Sequence, residues 1–245
     1  MIVHSYESTK RSAACIEYIG EIKAASELDK VILLPIPTTR DKSTILNTNI
    51  YINSVLDEIF GKTLICGYAI PDDFKRDAAS QGCLILDLSE DEPFLCENAE
   101  ITAVCTLGII LSSTQKAPRD NRIGIVGYGR IGARLSRMLL QIGARVRVYT
   151  TRESARDELC GYGVDSTTDK SSDISELDIL INTAPAKIFS RDEIPRTVRI
   201  IDLASGDNFP DFEDVERYPS IPAKMFPVSA GRAWGRAIER FLISQ

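Results

Sequence analysis

The sequence predicts an α/β protein made of two doubly wound, parallel-sheet domains joined by a buried helix, with a cleft between them. Three observations carry that prediction. Short apolar runs alternate with helical stretches along most of the 245 residues, the pattern of parallel sheets covered on both faces. One run, Ile123 to Val126, breaks into Gly127-Tyr128-Gly129-Arg130-Ile131-Gly132 and then into an amphipathic helix. The alternation is interrupted at Ser89-Glu90-Asp91-Glu92-Pro93, which reads as a hinge. Residues 1–97 are therefore expected to form one domain and 98–230 the other, with the last helix, 231–245, packing back on the first.

In the first half, strands are expected at 31–36, 63–68 and 82–87. Helices are expected over 16–27, over 52–60, and after Pro71 with its Asp72-Asp73 start. The stretch 103–113 is apolar nearly all round and predicts the buried connecting helix, with Asn98 or Thr102 as N-cap. Strand 123–126, the glycine turn, a helix ending at Gly143 and strand 145–149 then make a βαβ unit. Ile131, Leu135, Met138, Leu139 and Ile142 fall on one face of its helix. Two further buried strands end in small polar tips, Asn182-Thr183-Ala184-Pro185 and Asp202-Leu203-Ala204-Ser205. The final helix carries Trp234, Ile238, Phe241 and Leu242 on one side.

Each glycine of the turn has a job in a dinucleotide site. The first permits the tight turn, the second lets a pyrophosphate approach the backbone, and the third brings helix and strand together. A turn whose glycines serve packing alone would read the same way, but the strand–turn–helix–strand context favours a Rossmann-like nucleotide site. In such sites an acid about 20 residues further on accepts the ribose hydroxyls of NAD. Here the second strand ends in Tyr149-Thr150-Thr151-Arg152-Glu153-Ser154, with no carboxylate at the tip. Hydroxyls and a guanidinium suit a 2′-phosphate, so NADP is expected in preference to NAD, held by Thr150, Thr151, Arg152 and Ser154. A polar loop with Ser154 as N-cap of the next helix is the plainer alternative, and both can hold. Ligands lie outside the carboxyl ends of such strands, so Asn182, Thr183, Ala184 and Pro185 join the expected cofactor contacts. Turn residues that happen to be polar remain the alternative.

A net charge of −6 and a pI near 5.0 argue against nucleic acid or an anionic membrane as partner, and the arginines around residues 119–156 are explained by a phosphate-rich cofactor. No targeting segment and no bilayer-length apolar run is read in it. The six cysteines are scattered without a Cys-x-x-Cys pair, which suggests reduced thiols and a cytoplasmic setting. His4 is the one histidine, which excludes a histidine metal cluster and leaves it as a surface or packing residue. No metal is expected.

The chain resembles the family of dipicolinate synthase A-subunits and, more distantly, the D-2-hydroxyacid dehydrogenases. The resemblance rests on Val31-Ile32-Leu33-Leu34-Pro35-Ile36-Pro37-Thr38-Thr39, Asn98 with Thr102, the glycine turn, Ile181-Asn182-Thr183-Ala184-Pro185, and Ile201-Asp202-Leu203-Ala204-Ser205. It implies oxidation of dihydrodipicolinate to dipicolinate with NADP during bacterial sporulation, alongside a flavoprotein-like second subunit. It departs from the family pattern at Ser5-Tyr6-Glu7-Ser8-Thr9-Lys10, at Thr102-Ala103-Val104-Cys105, at Gly206 and before the last helix. These departures fall where a substrate would be held, whereas the cofactor motif is intact.

A dicarboxylate needs cations or aimed N–H groups. Thr38, Thr39, Arg40, Ser205, Ser229 and Arg232 are the candidates, with Asn98 and Thr102 added by the resemblance. Glu100 and Asp202 are conceivable proton acceptors, and no residue is assigned as catalytic. Two alternatives stay open: a nucleotide-binding accessory or sensor module with a degenerate substrate site, and a 2-hydroxyacid dehydrogenase-like enzyme of other substrate; a homodimer is compatible with each reading.

Overall fold

The structure is a computed structural model and describes residues 1–170 and 172–245. It divides into two compact units, Met1–Asn98 with Pro222–Gln245, and Ala99–Ile221. The first holds a parallel sheet of β1 (Ile2–Ser5), β2 (Lys30–Leu33), β3 (Thr63–Gly67) and β4 (Leu84–Asp87), in that order. Ile32 and Ile65 point to one face, where they meet Ile45, Ile52, Val55, Phe74 and Ala78. Those residues come from the 3-10 helix Ile52–Glu58, from α2 (Asp72–Ser80) and from the loops beside them. Cys66 faces the other way, as the two-residue period of a strand requires. Its Sγ accepts a 3.0 Å hydrogen bond from Trp234 Nε1.

Trp234 lies on α6 (Pro227–Ile243), which packs along α1 (Lys10–Glu21), and Tyr18 donates to Glu239 at 2.8 Å across that pair. The steps β1 to β2 and β2 to β3 run the same way across the sheet, yet their connections lie on opposite faces. The two crossovers therefore have opposite hands, where a right-handed connection is the rule.

The second unit is a six-stranded parallel sheet in the order β10-β9-β8-β5-β6-β7. Its strands are β5 (Arg122–Val126), β6 (Arg145–Tyr149), β7 (Asp165–Thr167), β8 (Ile179–Asn182), β9 (Arg199–Asp202) and β10 (Val215–Arg217). α4 (Arg130–Gln141) follows β5 and α5 (Glu153–Gly161) follows β6. Strand order reverses between β5 and β8, and this switch point is where an open α/β sheet receives its ligand.

Several expectations need correction. The first helix begins at Lys10, because Thr9 and Ser12 form a capping box, and it gives way to a 3-10 helix at Lys23–Glu27. The segment over 52–60 is a 3-10 helix, Ile52–Glu58. The hinge is shorter than expected, since α3 runs over Glu92–Ser113. Asp91 starts it by accepting the Phe94 N–H at 2.7 Å, and Pro93 sits in the first turn, where its missing N–H costs nothing. Asn98 and Thr102 thus lie inside the helix and neither is its N-cap. Ile142 is the C-cap of α4 and 38% exposed rather than on the buried face. Arg152, not Ser154, is the N-cap of α5.

α3 is long and apolar enough to span a bilayer by length and composition, which the shorter 103–113 reading missed. Inside the fold it is a partly buried helix: Ala103, Cys105, Ile109 and Ile110 are enclosed, while Val104 and Leu111 are exposed. Near its start Glu97 pairs with Arg236 and Asp91 with Arg240, anchors that suit a core helix better than a lipid-facing one. Cys15, Cys66, Cys83 and Cys105 are buried, Cys96 partly so, and Cys160 is exposed.

Candidate nucleotide site

β5 is buried from Ile123 to Val126 and releases the chain into the glycine turn at the switch point. Gly127 has φ +91°, and a Cβ there would come within 2.9 Å of Thr183 Oγ1. A Cβ at Gly132 would lie 2.2 Å from the Gly127 carbonyl oxygen. The fold itself therefore requires both glycines. Gly129 differs: its φ is −85°, and nothing lies within 4 Å of a Cβ built there. Neither backbone geometry nor packing demands glycine at 129. The space that a Cβ would fill is the space a pyrophosphate uses when it approaches the turn.

Gly129 is also the N-cap of α4 and offers no side-chain cap, so the positive helix end is left to a ligand. Arg130 is exposed and Ile131 half-buried. Tyr128 turns inward and is 4% exposed. Its hydroxyl donates to Glu158 at 3.2 Å, and Glu158 also pairs with Arg137 of α4 at 2.5 Å. Burial first, and then the Glu158 carboxylate, push the Tyr128 phenol above its ordinary pKa. The turn is thereby tied to α5, whose first residues form the tip of the second strand. Sequence reasoning missed Glu158 and Arg137 in this role because surface charges on helices carry no such signal.

At that tip Thr150 is buried, Thr151 and Ser154 are exposed, and the Arg152 N–H meets Thr150 Oγ1 at 3.3 Å. The Arg152 guanidinium reaches back to donate to the Tyr128 carbonyl. α5 opens with no side-chain cap, leaving a second free helix end beside a cation.

The tips of β8 and β9 are bound to each other. Asn182 Nδ2 donates to Asp202 Oδ1 at 2.8 Å and to the Ala184 carbonyl at 3.0 Å, while its Oδ1 accepts the Ala184 N–H at 3.1 Å. Asp202 also accepts from the Ala204 N–H at 3.2 Å and from Asn208 at 3.3 Å. Both of its oxygens are thus committed. The Thr183 hydroxyl donates to the Val126 carbonyl at 2.9 Å and packs under Gly127. Asn182 and Thr183 spend their polar atoms shaping the edge beside the turn, which leaves half-buried Ala184 and exposed Pro185 as its outer surface. Asn208 gave no sequence signal, lying in a polar loop.

The expected substrate residues scatter between the units. Thr38, Thr39, Arg40, Asn98, Ser229 and Arg232 belong to the first, Thr102 and Ser205 to the second. Thr38 is fully buried and its Oγ1 accepts the Tyr68 N–H at 2.9 Å. Thr39 Oγ1 accepts the Lys42 N–H at 2.6 Å. Arg40, Ser205, Ser229 and Arg232 are exposed, and Glu100 is exposed on α3. Near Thr38, sequence reasoning missed a buried ion pair at the carboxyl end of β1. Arg11 Nε and Nη2 donate to the two oxygens of Glu7 at 3.0 and 2.6 Å. Arg11 Nη2 also approaches the Ile36 carbonyl at 3.5 Å.

A cavity of about 420 Å³ opens elsewhere, at the amino ends of β5 and β6 among Arg122, Arg145, Arg147, Asp165, Asp173 and Glu176. Arg122 and Arg147 are already paired there with Glu176, Asp165 and Asp173. The glycine turn is at the opposite end of these strands.

Residues 111–197 match the family model described as D-isomer specific 2-hydroxyacid dehydrogenase, NAD binding domain. No curated protein matches the chain. Among solved structures, the A-subunit of dipicolinate synthase from Bacillus halodurans is similar at 19% identity and a TM-score of 0.79, covering 98% of this chain and 97% of that one. Its counterpart from Bacillus subtilis follows at 18% identity and 0.78, covering 99% and 95%. A D-isomer specific 2-hydroxyacid dehydrogenase from Lactobacillus delbrueckii ssp. bulgaricus, in its NAD complexed form, gives 10% and 0.59, covering 99% and 96%. At these identities the shared property is the fold, and the relation expected from the sequence stands at that level. The chain is dehydrogenase-like and carries a nicotinamide-nucleotide-binding domain.

Proposed function

We propose that the chain is an NADP-dependent oxidoreductase of the dipicolinate synthase A-subunit type, oxidising dihydrodipicolinate to dipicolinate. The observation that carries this reading is the glycine turn at the switch point, where Gly129 is glycine for no reason internal to the fold. When bound, NADP⁺ supplies the hydride acceptor, and the gain of aromaticity makes the transfer favourable. The chain's own task is alignment. Gly127, Gly129, Gly132 and the open end of α4 receive the pyrophosphate, with Tyr128, Arg130 and Ile131 completing the turn. Thr151, Arg152 and Ser154 receive the 2′-phosphate above the buried Thr150. Asn182 and Thr183 hold the outer edge, Ala184 and Pro185, in place for the nicotinamide.

For the dicarboxylate, the first unit offers the cations Arg40 and Arg232 and the hydroxyls of Thr39 and Ser229, and the second unit by itself offers the hydroxyl of Ser205. Thr38 and Asp202 act through the backbone they hold. Asn98 and Thr102 enter through the family resemblance alone. The setting that fits is the cytoplasm of a sporulating bacterium, with a homodimeric chain and a flavoprotein-like partner.

An accessory or sensor module that kept the cofactor site is favoured by one observation. The opening turn, Ser5 to Lys10, is closed by the side chains of Glu7 and Thr9 and by Ser12 of α1, where a substrate loop would have to stay open. Fluorescence titration with NADPH and NADH, followed by turnover of dihydrodipicolinate, separates the readings. Micromolar NADPH binding with turnover is the result expected of the enzyme. Binding without turnover identifies the module, and binding of neither nucleotide refutes both.

A further inference from the structure

We propose that Arg152 sets cofactor choice in two ways: it attracts a 2′-phosphate, and it masks a backbone acceptor that NAD would otherwise use. This rests on the NADP reading above and deepens it. The tip of the second strand of such a sheet is the place where an NAD site keeps a carboxylate to accept the ribose hydroxyls. Here that place holds Thr150, Thr151 and Arg152, without an acid. An acceptor does remain nearby, the Tyr128 carbonyl in the glycine turn, and the Arg152 guanidinium is bonded to it.

The two cofactors meet this arrangement differently. A phosphate brings its own oxygens, and a charge-assisted fork to a phosphate is stronger than a bond to a neutral carbonyl. NADP therefore draws Arg152 off the carbonyl and gains more than the bond it breaks. NAD brings hydroxyls only. It must leave the mask in place and go without an acceptor, or displace the guanidinium with nothing to bind it. Discrimination of this kind, by a cost imposed on the wrong ligand, adds to whatever attraction favours the right one.

The test is a pair of dissociation constants, for NADPH and NADH, on the wild-type chain and on Arg152→Ala, by fluorescence titration at fixed ionic strength. Masking predicts opposite shifts. NADPH binding weakens by about tenfold or more as its charge-assisted bonds are lost. NADH binding tightens, by roughly threefold if one neutral hydrogen bond to the carbonyl is gained. Arg152→Met, which keeps the stem and removes the donors, gives the same pair of shifts as Arg152→Ala, and unchanged melting temperatures show that both variants fold. NADH affinity that stays level or falls in both variants overturns the masking and leaves attraction alone. A wild-type chain that binds neither nucleotide overturns instead the site reading on which the masking depends.

Discussion

Both units begin a parallel sheet with a strand, a turn and a helix, and the two turns are built in opposite ways. The β1–α1 turn closes on itself. Thr9 caps α1 through its side chain, Ser12 returns the bond to the Thr9 N–H at 3.0 Å, and Glu7 and Arg11 pair with side chains 9% and 8% exposed. The β5–α4 turn has none of this: its N-cap is a glycine without a side chain, and the space beside it is open. A helix end that satisfies itself needs no ligand, whereas one left bare at a switch point is shaped for an anion. The difference explains why resemblance transfers a cofactor to the second unit more securely than a substrate to the first.

The largest effect is expected from breaking the closed turn. Arg11→Ala leaves the Glu7 carboxylate buried without its partner, at a cost of about 3 kcal/mol or more. It also removes the cation lying 5.8 Å from the centroid of the Trp234 ring. Urea unfolding should show that loss, while NADPH affinity stays at the wild-type value because the second unit is untouched. Equal loss of binding would mean that the two turns are not independent.

A second polar device in the first unit should dominate its acid behaviour. Glu58 accepts hydrogen bonds from His4 Nδ1 at 2.6 Å, from Lys30 Nζ at 2.7 Å and from the Tyr6 hydroxyl. Burial by itself would raise its pKa, but the bonds from Lys30, Tyr6 and His4 outweigh it and bring the carboxyl down to about 2. A depressed folded-state pKa stabilises the protein above the unfolded value, about 4.3. That stability is lost as pH falls from there toward about 2. Glu58→Gln should cost roughly 2 kcal/mol at neutral pH, after allowance for solvent screening, and flatten stability over that acid window. A variant as acid-sensitive as the wild type would place the transition on other carboxylates.

The legible parts of this fold were those written in local pattern. The apolar strands β2, β3, β5, β8 and β9 and the glycine turn stand out because burial on both faces demands continuous runs, and β6 stands out by the alternation of Arg145-Val146-Arg147-Val148. β7 and β10 are three-residue edge strands, Asp165-Ser166-Thr167 and Val215-Glu216-Arg217, and polar edges carry no such signature. The start of α3 was hidden by reading Asp91-Glu92-Pro93 as a breaker when the same residues open a helix. In the candidate site, positions fixed by backbone need were readable, and so was the missing acid at the β6 tip. Long-range pairs, such as Asn182 with Asp202 or Tyr128 with Glu158, were not, because nothing local distinguishes a hydroxyl or amide that serves a ligand from one that serves its neighbour.

The smallest effect on stability, and the sharpest on the comparison between turns, belongs to Gly129→Ala. Its φ of −85° suits any residue, and no atom within 4 Å opposes a methyl group. Unfolding free energy should therefore fall by no more than about 1 kcal/mol, the cost of alanine in place of glycine at the N-cap of α4. The added methyl stands where the pyrophosphate must approach, so NADPH affinity should fall by roughly tenfold or more. Gly132→Ala is the control, because its methyl meets the Gly127 carbonyl at 2.2 Å and must disturb the folded turn itself. If Gly129→Ala binds as the wild type does, the open space is not a pyrophosphate site, and the bare end of α4 needs another occupant.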